Sequence, residues 1–149
     1  MHPKRFQNQT VLVTGASRGI GAAIAKAFAS EGACVLVNYL VNVKVAQEVV
    51  SDCEKLGGTA LALQADVRDP SAVQDMVAHA MREIGRIDVL VNNAFSPYAF
   101  DPENRKRFWK RHGLTTKPNL MAQFRPLTTF VSQSFRICVN AQKAASSIW

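Results

Sequence analysis

The sequence predicts an α/β protein, a parallel sheet covered on both faces by helices in three layers. Three observations carry that prediction. Four short apolar runs alternate with three helical patterns, the arrangement that βαβ crossovers require. The first run ends in a glycine turn that leads straight into a helix. The other runs also end in polar residues, and in such sheets all of these ends border one crevice.

Taken in order, Thr10 to Val13 reads as a central strand, apolar on both faces. In the helix after Gly19, Ile20, Ala23, Ile24, Ala27 and Phe28 recur at helical spacing and form the expected sheet-facing stripe. Ala33 to Val37 is a second strand, ending at Asn38-Tyr39. The next helix carries Val45, Val49, Cys53 and Leu56 on one face and stops at Gly57-Gly58. Thr59 to Leu63 is a third strand, ending near Asp66. Asp69-Pro70 reads as an N-cap followed by proline at the first helical position. Val73, Met76, Val77, Ala80, Met81 and Ile84 supply the buried face of that helix. Ile87 to Val91 is the fourth strand, ending in Asn92-Asn93-Ala94.

Composition narrows the class. The 149 residues suffice for one domain with a sizeable core, and 48% apolar with 19% charged residues is a globular balance. No run has the length of a membrane span, and the first residues lack a signal-peptide core. Cys34, Cys53 and Cys138 are odd in number and scattered, so no disulfide framework is expected; Cys34 and Cys53 read as buried thiols, and a reducing, cytoplasmic setting fits. His2, His79 and His112 show no metal-ligand spacing, so no metal site is expected. The net charge of +7 hides a break. Up to Glu103 nine basic residues face eleven acids; after it come nine basic residues and no acid.

Strand, glycine turn and helix start together make a cradle for a pyrophosphate. Backbone N–H groups and the positive end of the helix dipole attract the anion, and glycine removes the Cβ that would block it. The spacing Gly15-x-x-x-Gly19-x-Gly21 departs from the commoner Gly-x-Gly-x-x-Gly, and no Gly-Lys-Ser/Thr follows as in a P-loop. With Asn38-Tyr39, Asp66-Val67 and Asn92-Asn93-Ala94 at the neighbouring strand ends, the cradle becomes a specific signal.

Those residues resemble the short-chain dehydrogenase/reductase family in order and spacing over roughly the first hundred residues. The resemblance implies a three-layer Rossmann-type sheet, here of about four strands, and a nicotinamide dinucleotide as cofactor and partner. Gly15, Ser17, Arg18, Gly19, Ile20 and Gly21 would lie under the pyrophosphate and Asp66 and Val67 beside the adenine. Asn92 and Ala94 would lie near the adenosine side and ribose, with Asn93 between them also in the cofactor site. Asn38 and Tyr39 end the second strand where an acid would mark NAD(H). No carboxylate stands there, and Arg18, with Lys44 as a second cation, can meet a 2′-phosphate. NADP(H) is therefore expected over NAD(H). Phe95 stands where the family usually has glycine. Within the family the texture is most similar to 3-oxoacyl-(acyl carrier protein) reductases.

The family's chemistry needs a serine and a later Tyr-x-x-x-Lys, the tyrosine as general acid/base. This chain has only Tyr39 and Tyr98, and Pro102 stands where Tyr98 would need lysine. No catalytic residue is assigned. The expected division is a cofactor-binding part at 1–109 and a basic, poorly ordered tail at 110–149. Past Phe108-Trp109 acids and family pattern stop together. Read one base out of frame, Trp109-Lys110 must encode Glu and Met121-Ala122 must encode Gly. Synonymous choices then complete an amphipathic helix and an apolar strand. A lost base near the Trp109 codon is the resulting expectation, with Trp149 an accidental end, the fourth strand an unpaired edge and a family-type homotetramer not formed. Gln133 to Ala145 retains some helical character. The competing reading is a nucleic-acid binder using Arg105, Lys106, Arg107, Lys110 and Arg111 beside Phe108 and Trp109.

Overall fold

A single tripeptide, Val-Leu-Val, builds the centre of the sheet three times over. It occupies 11–13 in β1 (Thr10–Val13), 35–37 in β2 (Cys34–Tyr39) and 89–91 in β4 (Val89–Asn92). The computed structural model describes residues 4–95 and the strand 137–140. In register, Val11 pairs with Val35 and Val89, Leu12 with Leu36 and Leu90, and Val13 with Val37 and Val91. Because side chains alternate along a strand, the valines form one layer and the leucines the opposite one.

The connecting elements are α1 (Gly19–Ser30), α2 (Val43–Lys55), β3 (Thr59–Gln64) and α3 (Pro70–Glu83). The valine layer packs with Ala22, Ala25 and Ala29 of α1 and Ala46, Val49, Val50 and Cys53 of α2. The leucine layer packs with Val73, Met76 and Ala80 of α3. These two clusters make the expected three-layer arrangement. All strand pairs are parallel, in the order β3-β2-β1-β4-β5. The chain steps outward from β1 through β2 to β3, then crosses to β4 on the other side of β1. The switch point thus lies between β1 and β4, where the glycine turn and Asn92-Asn93-Ala94 emerge.

Several expectations are corrected. α1 does not face the sheet through Ile20, Ala23 and Ala27. Its buried residues are Gly21, Ala22, Ala25 and Ala29, with Ile24 and Phe28 on the flank and Ile20 72% exposed. Small residues win that face because the helix must lie close to a layer of valines, and bulk goes to its border. In α2, Leu56 is likewise exposed, and Ala46 and Val50 take the inner positions. In α3, Val73, Met76 and Ala80 are buried as expected, whereas Met81 is exposed.

The fourth strand is not an unpaired edge. β5 (Ile137–Asn140) lies parallel to it, pairing Val89 with Ile137 and Asn92 with Asn140. The helical character expected over Gln133–Ala145 yields there to strand, since Ile-Cys-Val is an apolar, β-branched run that completes the ladder of β4. A bare apolar edge would be an aggregation hazard, and β5 covers it along these four pairs. The domain boundary at 109/110, Tyr98 and the basic cluster from Arg105 to Arg111 lie outside the described residues.

Candidate functional site

The site begins where β1 runs out of apolar residues. Thr14 is fully buried, and its hydroxyl is the junction between β1 and β4. Oγ1 donates to the Val91 carbonyl at 3.2 Å and accepts the N–H groups of Asn93 and Ala94 at 2.9 and 3.0 Å. Asn93 returns the tie, its Nδ2 donating to the carbonyls of Thr14 at 2.9 Å and Gly15 at 3.2 Å. The far end of the same seam is held by Asp88, whose carboxylate accepts the Thr10 N–H at 2.9 Å and pairs with Arg86. The two central strands are thereby pinned at both ends.

Glycine is required in the turn for two different reasons. Gly15 has φ +61°, and a Cβ there would lie 3.0 Å from Ala94 Cα. Gly21 sits where a Cβ would come 2.5 Å from both Asn93 Nδ2 and the Gly15 carbonyl. Such distances are below any real contact, so the first turn of α1 can approach the β1–β4 seam only without a side chain. Arg18 caps the helix with extended backbone and makes no side-chain cap bond. The first intrahelical bond runs from Ala22 N–H to the Arg18 carbonyl at 3.3 Å. The N–H groups of Gly19, Ile20 and Gly21 therefore have no acceptor inside the helix, and the helix dipole adds positive potential at the same place. An anion fits this cradle.

The structure sorts the sequence-predicted residues into two sets. Ser17, Arg18, Gly19 and Ile20 line the outer side of the turn, with Arg18, Gly19 and Ile20 exposed and Ser17 half-buried. Ala94 lies against Gly15. Asn38, Tyr39 and Asn92 are buried, and the amide of Asn93 is turned into the seam. Of these, Asn38 and Asn93 hydrogen-bond the turn from within. Asp66 and Val67 stand past β3, Asp66 partly exposed and Val67 packed on the leucine-layer cluster.

Two further residues order the site's backbone. Thr14 follows the apolar run of β1, and a hydroxyl at the end of such a strand is a signal for a buried tie. Arg68 forms a two-pronged pair with Asp66, with Nη2 to Oδ2 at 2.6 Å and Nε to Oδ1 at 2.9 Å. The hydrogen bonds from the guanidinium, more than its charge, hold the Asp66 carboxyl below its ordinary pKa. The Asp-x-Arg spacing was the available clue. Elsewhere, burial pushes the Cys53 thiol upward in pKa, so it is an inert core thiol. Among the described residues no group of three or more His, Cys, Asp or Glu could hold a metal, and no helix is long and apolar enough to cross a membrane.

Known proteins share this fold. The family model for short chain dehydrogenases matches residues 9–131, running past the composition break at Glu103. L-rhamnose 1-dehydrogenase (NAD(P)(+)) of Sphingomonas sp. (strain SKA58) is 47% identical over 91 residues, which are 61% of this chain and 36% of that protein. A dehydrogenase/reductase of Sinorhizobium meliloti 1021 superposes with a TM-score of 0.73 at 33% identity, covering 91% of this chain and 54% of the other. A short chain dehydrogenase of Burkholderia cenocepacia J2315, solved in complex with NADP, gives a TM-score of 0.70 at 33% identity over 91% of this chain and 56% of that one. The chain thus spans about a third of the length of that curated relative and about half of each solved chain.

Proposed function

Since the chain belongs to the short chain dehydrogenase family, we propose that it binds a nicotinamide dinucleotide at the carboxyl ends of β1, β2 and β4, with NADP(H) preferred over NAD(H). The observation that carries the reading is the close approach of the start of α1 to Gly15, which a Cβ on Gly21 would block, beside three N–H groups with no acceptor inside the helix. The pyrophosphate would lie against Ser17 to Gly21, the adenine near Asp66 and Val67, and the ribose near Ala94. When bound, the dinucleotide supplies a hydride acceptor or donor for a carbonyl/alcohol pair. The preference for a 2′-phosphate rests on Arg18, the exposed cation of the turn, and on the lack of a carboxylate at the end of β2, where Asn38 and Tyr39 are buried.

The complete oxidoreductase would interconvert a carbonyl and an alcohol, with 3-oxoacyl thioesters as a first substrate class to try. Its place would be the cytoplasm, where Cys34 and Cys53 stay as free thiols. Among the 149 residues no Tyr-x-x-x-Lys occurs, so we propose that this chain binds dinucleotide without transferring hydride or forming the family's tetramer, and that 110–149 reads a shifted frame. Two observations bear on the frame from opposite sides. Acids vanish after Glu103, yet the family match continues to residue 131 and β5 pairs with β4. The nucleotide sequence decides between them.

The direct test is titration of the purified chain with NADPH and NADH, followed by the shift in NAD(P)H fluorescence. Saturable binding with NADPH the tighter ligand is expected, with no turnover of a short 3-oxoacyl substrate. A folded chain that binds neither dinucleotide would refute the reading.

A further inference from the structure

Asn38 stands at the penultimate position of β2, with 2% of its surface exposed. Its carboxamide joins three segments of the chain. Oδ1 accepts the Gly15 N–H at 3.1 Å. Nδ2 donates to the carbonyls of Ala65 at 3.1 Å and Leu63 at 3.4 Å and lies 3.4 Å from Met76 Sδ of α3. Its own backbone carbonyl accepts the Ala16 N–H at 2.8 Å. One residue therefore engages two successive N–H groups of the glycine turn.

The pattern of donors and acceptors leaves no freedom in the amide's orientation. One side faces an N–H and needs oxygen; the other faces two carbonyls and needs N–H groups. We infer that Asn38 is a positioning residue for the dinucleotide site rather than a contact to the ribose. It draws the N–H groups of Gly15 and Ala16 inward, so the turn leaves the strand bent and the donors that follow are the ones left for an anion. Through Ala65 it also anchors the loop that begins with Asp66, setting the pyrophosphate and adenine ends of the site on one support. This inference rests on the dinucleotide-binding reading, and its tests separate the two.

Aspartate is the informative replacement. It keeps the acceptor for Gly15 and puts an oxygen against the carbonyls of Leu63 and Ala65, where only a protonated carboxyl can donate. The groups facing the position are the Gly15 N–H from the turn, those two carbonyls from the end of β3 and Met76 Sδ from α3, and none of them titrates. The ion pair of Asp66 with Arg68 begins one residue beyond Ala65. Burial and two facing carbonyls outweigh one N–H donor, so the introduced carboxyl has a raised pKa.

The experiment uses the full chain in three forms, wild type, Asn38→Asp and Asn38→Leu, and reads NADP⁺ binding and amide hydrogen exchange. In the unliganded wild type, the Gly15 and Ala16 amides are expected to exchange more slowly than those of Gly19 and Ile20, a measurement that needs no variant. Asn38→Leu should lose about tenfold in affinity, the size of one buried hydrogen bond, at every pH. Asn38→Asp should lose as much at about pH 8 and recover most of it by about pH 5, as the carboxyl regains its proton. Gly15 protection should follow the same course, while a merely structural role would give no such recovery. Equal exchange at all four wild-type amides overturns the inference, as does binding by both variants within about twofold of wild type across that range. If the wild type binds no dinucleotide, the functional reading falls and the exchange comparison alone still decides the role of Asn38.

Discussion

Three helices start at the same edge of the sheet, and they do not start alike. α2 is capped by Asn42, whose Oδ1 accepts the Val45 N–H at 3.2 Å. α3 is capped by Asp69, whose Oδ1 accepts the Ser71 N–H at 2.9 Å, with Pro70 in the first turn where an N–H would have no acceptor. α1 has neither device; glycines and an extended arginine stand in their place. Two helices satisfy a first-turn donor with their own cap side chain. In the third, the Arg18 side chain makes no such bond. On the proposed function, the difference divides stability and binding between helix starts that share one topology.

Substitutions should separate those two jobs. The largest effect is expected from Gly21→Ala, because the added Cβ would meet backbone at Gly15 and Ala16 as well as the Asn93 amide that ties the seam. Dinucleotide affinity should fall by at least about tenfold in fluorescence titration, with about 1–3 kcal/mol lost in denaturant unfolding from overpacking. Asp69→Ala should do the opposite: about 1 kcal/mol of stability lost with NADPH affinity unchanged. If it weakened binding as much as Gly21→Ala, the division between helix starts would collapse. Arg18→Ala should leave the melting temperature in place and reduce the preference for NADPH over NADH by about tenfold, the loss of one charge-assisted contact.

The smallest effect concerns pH. The Asp66 carboxyl is held below its unfolded pKa by Arg68, so the pair's contribution is present above the unfolded value and fades as pH falls through the folded one. Unfolding followed from about pH 6 downward should show this loss begin below about pH 4. In Arg68→Ala that component should disappear, and the NMR titration of Asp66 should move up toward the ordinary aspartate value. Because Arg68 is exposed and Asp66 partly so, a large change in stability at neutral pH would contradict the geometry.

Much of this architecture is legible in the residues alone, and the misses have physical causes. Strands were readable because Val-Leu-Val runs are apolar on both faces, and the start of α3 because Asp69-Pro70 is a two-residue signature. The inward face of α1 was misread because Ile20 and Phe28 draw the eye, while closeness to the sheet selects Gly21, Ala22, Ala25 and Ala29. The positions of Asn38 and Asn93 at strand ends were correct, but a position does not say which way an amide turns. Only the geometry shows both spent inside the protein. β5 was hidden because pairing with β4 depends on residues about fifty positions apart, and no local pattern in a basic, proline-broken stretch announces it.

The repeated Val-Leu-Val leaves the growing sheet with a problem of address. β2 and β4 offer β1 the same three side chains in the same register, so their central ladders cannot tell one side of β1 from the other. What differs is the polar residue just beyond. Gly15 finds its acceptor in Asn38 only on the β2 side, and Thr14 finds its donors in Asn93 and Ala94 only on the β4 side. The residues around the anion cradle therefore also label the strands. A chain that exchanged β2 and β4 would keep its valine and leucine layers and lose these ties, leaving buried polar groups without partners. Correct assembly and a formed binding turn are, at these positions, the same event.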